Sequence, residues 1–250
     1  MTGLVPLSIM VGFFIAALLY AAVGFGGGST YAALLALSGM DYRLLPMVTL
    51  ACNIIVVAGS SVRFARARIT PWRGALLMTA LAAPAALLGG LTPIDRETFM
   101  VLLGGSLLLT GVTMLIPQRE FVSGKPTRFA KALPFVAAPL GYLAGLVGIG
   151  GGIFLAPLLH LTRWKDPRAI AATASIFILI NSLFGLAGQM LKQGHFVMGG
   201  AVGAALPLLI AVAVGGQVGS LMAVKFLPQR AIRWLTALLV IWVGVRLLTS

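Results

Sequence analysis

The stretch VGFGGGSTYAALLAL, from Val23 to Leu37, places four glycines within five positions directly after a long apolar run. A second stretch, VGIGGGIFLAPLL, from Val147 to Leu159, repeats the first six residues with one change, 124 residues further along the chain. Glycine accepts φ > 0 and lets another backbone approach closely. Each cluster therefore predicts a break in a helix, and the recurrence predicts an internal repeat.

The composition around these breaks is that of a membrane protein. The chain has 250 residues, of which 60% are hydrophobic and 9% are charged, and its mean hydropathy is +1.05. In soluble domains about a quarter of all residues are charged. Long uncharged apolar runs are instead typical of helices that cross a bilayer. We therefore expect an all-α polytopic membrane protein that lies in the lipid bilayer.

The apolar segments divide the chain into two halves with the same order of elements. Each half has a long segment, a glycine break, a short segment and three long segments, and Thr49 matches Thr173 at the same offset. The order predicts a first transmembrane repeat (1–116), a cytoplasmic linker (117–131) and a second transmembrane repeat (132–250). The segments lie at residues 3–22, 29–40, 44–62, 74–91, 97–116, 133–148, 152–161, 168–190, 197–224 and 231–248.

The basic residues predict how the repeats are oriented. If each glycine-broken pair is a hairpin that returns to its starting side, each half crosses the bilayer three times, and the halves are inverted copies. Lys and Arg in short loops mark the cytoplasmic side, so both termini are expected on the non-cytoplasmic side of the cell inner membrane. One set of loops then holds fourteen of the eighteen basic residues: Arg63, Arg66, Arg68, Arg73, Arg119, Lys125, Arg128, Lys131, Arg163, Lys165, Arg168, Lys225, Arg230 and Arg233.

The glycine breaks are the candidate binding site. A break exposes backbone N–H groups at the start of the short helix, where the helix dipole is positive, and such a terminus binds anions. Hydroxyl and amide side chains of the following segments add donors without a buried charge. The substrate-binding candidates are Gly24, Gly26, Gly27, Gly28, Ser29, Thr49, Asn53, Gly148, Gly150, Gly151, Gly152, Thr173, Ser175 and Asn181.

Other interpretations of these residues remain open. The glycines could serve only to pack helices closely, and each buried amide or hydroxyl could join neighbouring helices. The net charge of +13 does not indicate nucleic acid, since no basic segment is interleaved with exposed aromatic residues. We predict no catalytic residue, metal site or cofactor, because the sequence has no His/Asp/Glu cluster and its GxGGG motifs follow no predicted strand.

The paired motifs resemble the sulfite exporter TauE/SafE family. The resemblance rests on the two GxGGG breaks, on Pro157-Leu158 after the second break, and on the runs from Ala67 to Leu77 and from Asp166 to Ser175. Ala33 departs from the pattern, because the second repeat has Pro157 at the matching position. The resemblance implies a polytopic inner-membrane permease for small sulfur oxyanions or organosulfonates.

We therefore expect a transporter that exports a small sulfur-containing anion, sulfite or an organosulfonate, by alternating access. An anion channel and an uptake permease for a related anion are the alternatives, because both would use the same glycine and hydroxyl lining. A homodimer is left open, since small-residue faces such as Gly200 to Leu206 pack helices within one chain or between two.

Overall fold

The computed structural model describes residues 6–23, 25–115, 132–222 and 229–249, without the side chains of residues 22–23, 194–204, 220–222, 229–233 and 235–236. Gly24 and the predicted linker 117–131 lie outside the described residues. The described residues are helical and contain no strand. The helices are α1 (Leu7–Val23), α2 (Gly28–Leu37), α3 (Leu45–Arg66), α4 (Trp72–Leu91), α5 (Arg96–Leu115), α6 (Leu133–Val147), α7 (Gly152–Leu161), α8 (Pro167–Met222) and α9 (Gln229–Thr249).

Helix lengths separate the membrane-crossing segments from the broken ones. Four ranges are long and apolar enough to cross a bilayer: α3, α4, α5 and residues 167–193 of α8. Helices α1 and α6 have 17 and 15 residues, and at 1.5 Å per residue they extend about 25 and 22 Å, short of the ~30 Å hydrocarbon core. The protein is therefore a multi-pass membrane protein with two pairs of short helices.

Helix α8 differs from the prediction of two separate segments at 168–190 and 197–224, because its range is continuous. It nevertheless turns back on itself. Gly185 lies against Leu50 and Gly216 against Val56, positions only about 9 Å apart along α3, whereas a straight helix would separate the two glycines by about 46 Å. The two predicted crossings are therefore present within one helical range.

Glycines set the closest contacts between helices. A Cβ atom at Gly141 would lie 2.8 Å from Ala82 Cα, and one at Gly145 would lie 2.7 Å from the Ala86 carbonyl carbon. Because both positions advance by four residues, α4 and α6 run parallel. Small residues allow such close backbone approach between membrane helices.

The same geometry joins α1 to the second part of α8. A Cβ atom at Gly215 would lie 3.2 Å from Ala17 Cβ and would contact the Phe14 carbonyl oxygen, and one at Gly219 would lie 2.6 Å from Leu18 Cα. This pair is also parallel. In contrast, α3 and the first part of α8 are antiparallel, because Ser60 lies beside Ser175 and Leu50 beside Gly185.

Helices α5 and α9 form a second antiparallel pair. Gly104, early in α5, lies against Leu248, late in α9, while Gly111 lies against Ala237. The pairs α3/α8 and α5/α9 each join one helix of the first half to one of the second half. Both therefore belong to the contact surface between the two halves.

The interhelical loops assemble at two ends of the molecule. At the basic end, Trp164 lies against Gly74, which brings the α3–α4 loop to the α7–α8 loop. The described basic residues of these segments are Arg63, Arg66, Arg68, Arg73, Arg163, Lys165 and Arg168.

The opposite end is formed by the segments before α3, before α5 and around Lys192. Gln193 Nε2 donates to the Arg43 carbonyl at 3.2 Å, and Lys192 Nζ donates to the Thr92 carbonyl at 3.3 Å. Arg96 belongs to this end because α5 starts here, and Arg246 lies in the last turn of α9, which runs toward this end beside Gly104. In the described part of the chain, the α3–α4 and α7–α8 loops thus lie at the end opposite to Arg43, Arg96 and Lys192.

An aspartate precedes a helix in both halves, four residues before α3 and directly before α8. Asp41 Oδ1 accepts the Arg43 N–H at 2.9 Å, and Asp166 Oδ1 accepts the Arg168 N–H at 3.1 Å. Asp95 has a similar role before α5, where the Thr98 N–H and hydroxyl both donate to its carboxylate. These hydrogen bonds hold the pKa of Asp95 below its usual value.

Candidate functional site

The first glycine cluster turns the chain back on itself as a helical hairpin. Phe13 stacks on Tyr31 with ring centroids 4.8 Å apart, and the Tyr20 hydroxyl lies 3.0 Å from Thr30 Oγ1. Residues that advance along α1 thus meet residues that recede along α2. Gly27 begins α2 with φ of 79°, a left-handed conformation that glycine adopts without strain.

The second cluster makes the corresponding turn between α6 and α7. Gly151 begins α7 with φ of 76°. A Cβ atom there would lie 3.0 Å from Ala144 Cβ and 3.3 Å from the Leu140 carbonyl oxygen. The start of α7 therefore packs against the preceding helix, as the start of α2 does.

Both hairpin tips meet at one side chain of α3, Asn53. Its amide nitrogen donates to the Ile149 carbonyl of the second tip at 3.2 Å. A Cβ atom at Gly28 would lie 2.5 Å from both Asn53 Nδ2 and that carbonyl oxygen, and one at Gly26 would lie 2.5 Å from Asn53 Oδ1. Gly150 of the second tip is similarly close, with its Cβ position 2.7 Å from Asn53 Nδ2. Asn53 thus lies between two segments that are far apart in sequence.

The tips are lined by buried polar atoms that lack hydrogen-bond partners within the described part of the chain. They include Ser29 Oγ, Asn53 Oδ1 and Ser182 Oγ, and the Ser182 hydroxyl is 3.1 Å from the Cβ position of Gly150. Most buried polar groups in proteins are paired, so these three atoms make the tips a candidate site for a polar ligand.

The backbone N–H groups at the starts of α2 and α7 are further hydrogen-bond donors at the tips. The N–H groups of Thr30 and Tyr31 donate to the Gly27 carbonyl, each at 3.0 Å. The N–H groups of Gly28 and Ser29 precede these bonds, at the helix end where unpaired donors and the positive end of the dipole coincide. In the second tip, Phe154 and Leu155 donate to the Gly151 carbonyl in the same way.

The cavity between the tips is nearly closed. Its volume is about 10 Å³, roughly the minimum for one water molecule. Its lining side chains include Tyr20, Ser29 and Asn53 beside Phe25 and three isoleucines, and no Asp, Glu, Lys or Arg is among the described residues that line it. The space between the tips is therefore too small for an oxyanion in this structure.

Several predicted candidates use their polar groups elsewhere. Thr49 Oγ1 donates to the Leu45 carbonyl at 2.9 Å, and Thr173 Oγ1 donates to the Ala169 carbonyl at 2.8 Å. Both hydroxyls are satisfied by their own helix four residues earlier. The equal geometry at the repeat offset indicates a structural position in both halves.

Ser175 and Asn181 lie on the first part of α8, away from the tip cavity's lining. The Ser175 hydroxyl lies 3.4 Å from that of Ser60, seven residues beyond Asn53 along α3, a rise of about 10 Å. Asn181 is fully buried, and neither atom of its amide has a partner among the described residues.

Two of the other candidate glycines, Gly148 and Gly152, contact neighbouring helices in the described part of the chain. Gly148 lies against Pro46 and Thr49, and Gly152 lies against Ile178. Two residues of the site were not among the candidates: Tyr20, whose hydroxyl reaches Thr30, and Ser182. Their sequence signal was weak, because an isolated tyrosine or serine in an apolar segment has no distinguishing neighbours.

Comparison with known proteins identifies the family. The sequence model of the sulfite exporter TauE/SafE family matches residues 9–247. The chain belongs to the sulfite exporter TauE/SafE family. This confirms the resemblance that the two GxGGG breaks indicated, and it makes the protein a membrane transporter in general function.

Similar proteins support the same conclusion. A probable membrane transporter protein of Sinorhizobium fredii is 31% identical over 247 residues, covering 97% of this chain and 98% of the relative. A probable membrane transporter protein of Methanocaldococcus jannaschii is 26% identical and covers 84% and 82%. A sulfite exporter TauE/SafE family protein of Arabidopsis thaliana is 36% identical, covering 44% of this chain and 23% of the relative. No solved structure matches the chain.

Proposed function

We propose that this TauE/SafE protein exports a small sulfur-containing anion, sulfite or an organosulfonate, across the cell inner membrane by alternating access between two inverted repeats. The contact of both glycine tips with Asn53 carries the proposal. It brings two equivalent breaks, 124 residues apart, to one buried polar point.

Helix directions support the inverted repeats. Hairpins that return to their starting side, followed by three crossings, require α1 to run parallel to the second part of α8 and α4 to run parallel to α6. They also require antiparallel α3/α8 and α5/α9 pairs. In the contacts described above, all four helix pairs run in the directions that this arrangement requires. In other transporters, inverted repeats of this kind exchange conformations to open alternately to each side.

The chemistry of the tips suits an anion. Helix N-termini offer backbone N–H groups and a positive dipole, and Asn53 and Ser29 add side-chain donors. No carboxylate lines the tips in the described residues, whereas cation carriers generally use acidic or carbonyl-rich cages. Sulfite and organosulfonates present several oxygen acceptors on a compact group, which matches converging donors.

The closed tips favour a carrier over a channel. With about 10 Å³ between them, no continuous pathway for an oxyanion passes this point. Transport through it requires the hairpins to separate, and a rigid-body movement of one repeat against the other would achieve this. The basic end faces the cytoplasm by the positive-inside rule, so both termini lie on the non-cytoplasmic side.

Replacing Gly28 with alanine tests the tip site. Gly28 has no positive φ, so Gly28→Ala leaves the backbone unstrained, but its methyl group would collide with Asn53 and the Ile149 carbonyl. We expect anion flux in proteoliposomes to fall about tenfold or more, because such overpacking displaces the contact. Gly105→Ala is the matched control, since nothing lies within 4 Å of its Cβ position.

The flux assay compares sulfite, sulfoacetate, thiosulfate, sulfate and taurine. Flux of sulfite or sulfoacetate that Gly28→Ala removes and Gly105→Ala retains supports the proposal. Equal flux in both variants would reject the site, and no flux of any sulfur anion would reject the substrate. Acceleration by anion on the opposite side of the membrane identifies a carrier, and high conductance without it would identify a channel.

A further inference from the structure

A larger cavity lies at the end of the molecule opposite the basic end, and it is separate from the cavity between the hairpin tips. Its volume is about 190 Å³, room for roughly six waters at ~30 Å³ each. Three segments surround it: the one that leads into α3, the start of α5, and residues 189–193 of α8. Arg43, Gln189, Lys192 and Gln193 contribute its polar lining.

The charge of this cavity is positive. Two of the four basic residues of this end, Arg43 and Lys192, line it, and no Asp or Glu is among the described residues that do so. Asp41, Asp95 and Glu97 belong to the same end but are not in the lining: Asp41 accepts the Arg43 backbone N–H and attracts its guanidinium, and Asp95 accepts both donors of Thr98. The cavity lining thus carries two positive charges, whereas this end of the molecule as a whole carries charges of both signs.

Lys192 provides unused donors inside the cavity. Its side chain is about half-buried, and its ammonium group donates to the Thr92 carbonyl at 3.3 Å. An ammonium group carries three N–H donors and no acceptor, so a single carbonyl leaves most of its capacity for a ligand. Arg43 lies further out, with its guanidinium 5.6 Å from the Tyr42 ring centroid.

Gln189 is an independent sign of a ligand. It is fully buried, and its Nε2 atom donates to the carbonyls of Gly145 and Leu146 at 2.9 and 3.3 Å. These bonds fix the orientation of the amide and leave Oε1 as its one unbonded polar atom. Oε1 has no partner within the described residues. A sulfonate has no proton to donate, so a water bound to the anion would supply the missing donor.

The inner wall of the cavity is continuous with the second hairpin. Pro46 and Leu146 line it, and the Cβ position of Gly148 is only 2.5 Å from Pro46 Cα. From Gly148 the chain leads within one residue to Ile149, whose carbonyl binds Asn53. Separation of Pro46 from Gly148 would therefore connect the cavity to the tips.

We propose that this cavity is a second anion site, an outer vestibule in which Lys192 and Arg43 hold a small oxyanion of the sulfonate class between the tips and the non-cytoplasmic side. Its place in transport rests on the proposed function. Binding itself does not, because the cavity is already formed in this structure.

The test uses Gln193→Cys in the purified full-length protein. Cys52 is the single native cysteine and is fully buried, so the unmodified chain gives the background. The introduced cysteine is labelled with an anionic sulfonatoethyl and with a cationic trimethylammonioethyl methanethiosulfonate. We expect the anionic reagent to react faster than the cationic one. Lys192→Gln should lower the ratio of the anionic rate to the cationic rate about threefold or more, because one nearby positive charge is lost. Arg246→Gln, at the same end but outside the cavity lining, is the control.

Methanesulfonate is the probe for occupancy. It should slow the labelling of the introduced cysteine saturably, while chloride at equal ionic strength should not, and Lys192→Gln should weaken this protection. Equal effects of chloride and methanesulfonate, or an unchanged rate ratio in Lys192→Gln, would overturn the vestibule. Because labelling requires no transport, this result is separate from the flux of Gly28→Ala, and either proposal can fail without the other.

Discussion

Asn53 joins the two hairpins through one amide group. It is fully buried, binds the Ile149 carbonyl, and keeps its own Oδ1 without a partner in the described part of the chain. We expect Asn53→Leu, which keeps the side-chain size, to lower anion flux about tenfold, because the amide donor is lost and a buried carbonyl loses its partner. Proteoliposome flux measures this loss.

Thr79→Val is the control for that substitution. Thr79 is also buried, and its hydroxyl donates to the Ala75 carbonyl of its own helix at 2.6 Å, outside the site. It should retain flux within about twofold, since removal of a back-bonding hydroxyl leaves helix packing intact. Equal flux in Asn53→Leu and Thr79→Val would mean that Asn53 only joins helices.

The sequence could name Asn53 but could not distinguish it from the other polar candidates. Asn53 and Asn181 were both candidates, yet Phe177 is the residue at the repeat offset from Asn53, and it packs on Gly151. The two tips are therefore chemically unequal. Which polar side chain reaches a tip depends on the rotation of each helix about its axis, and apolar helices carry little pattern to define that rotation.

At the scale of elements, the parallel α4/α6 pair depends on glycine. A side chain at Gly145 would collide with the carbonyl group of Ala86. Gly145→Leu should therefore destabilise the protein by about 1–3 kcal/mol, the usual cost of overpacking. Thermal unfolding in detergent should show a lowered midpoint for Gly145→Leu and little change for Gly105→Leu, and equal midpoints would contradict the close contact.

Helix positions were largely readable from the sequence. The short segments predicted at 29–40 and 152–161 are helices at Gly28–Leu37 and Gly152–Leu161, because a glycine cluster and an apolar run are local signals. The continuity of α8 was not readable. The chain reverses direction between Gly185 and Gly216, as the two predicted crossings require. Its backbone stays helical there, because Lys192 and Gln193 do not break a helix and one glycine costs only about 1 kcal/mol.

At the scale of the whole molecule, the charge distribution predicts the orientation. Ala67, at the basic end, and Glu97, at the opposite end, are both exposed. In right-side-out membrane vesicles, an impermeant maleimide should label Glu97→Cys directly and Ala67→Cys only after permeabilisation, because the basic loops face the cytoplasm. The native Cys52 is buried and provides the background. The reverse labelling pattern would invert the orientation and with it the side of the vestibule.

The sequence by itself determined the membrane class, the helical segments, the two breaks and the family, because apolar length, glycine clusters and motif order are local or repeated along the chain. Tertiary structure decided that both breaks meet at Asn53, that Thr49 and Thr173 satisfy their own helices, and that Arg43 and Lys192 share one cavity. The contacts at Asn53 and at the cavity join residues about 100 to 150 positions apart. They depend on how close-packed helices are rotated and paired, which no local pattern specifies.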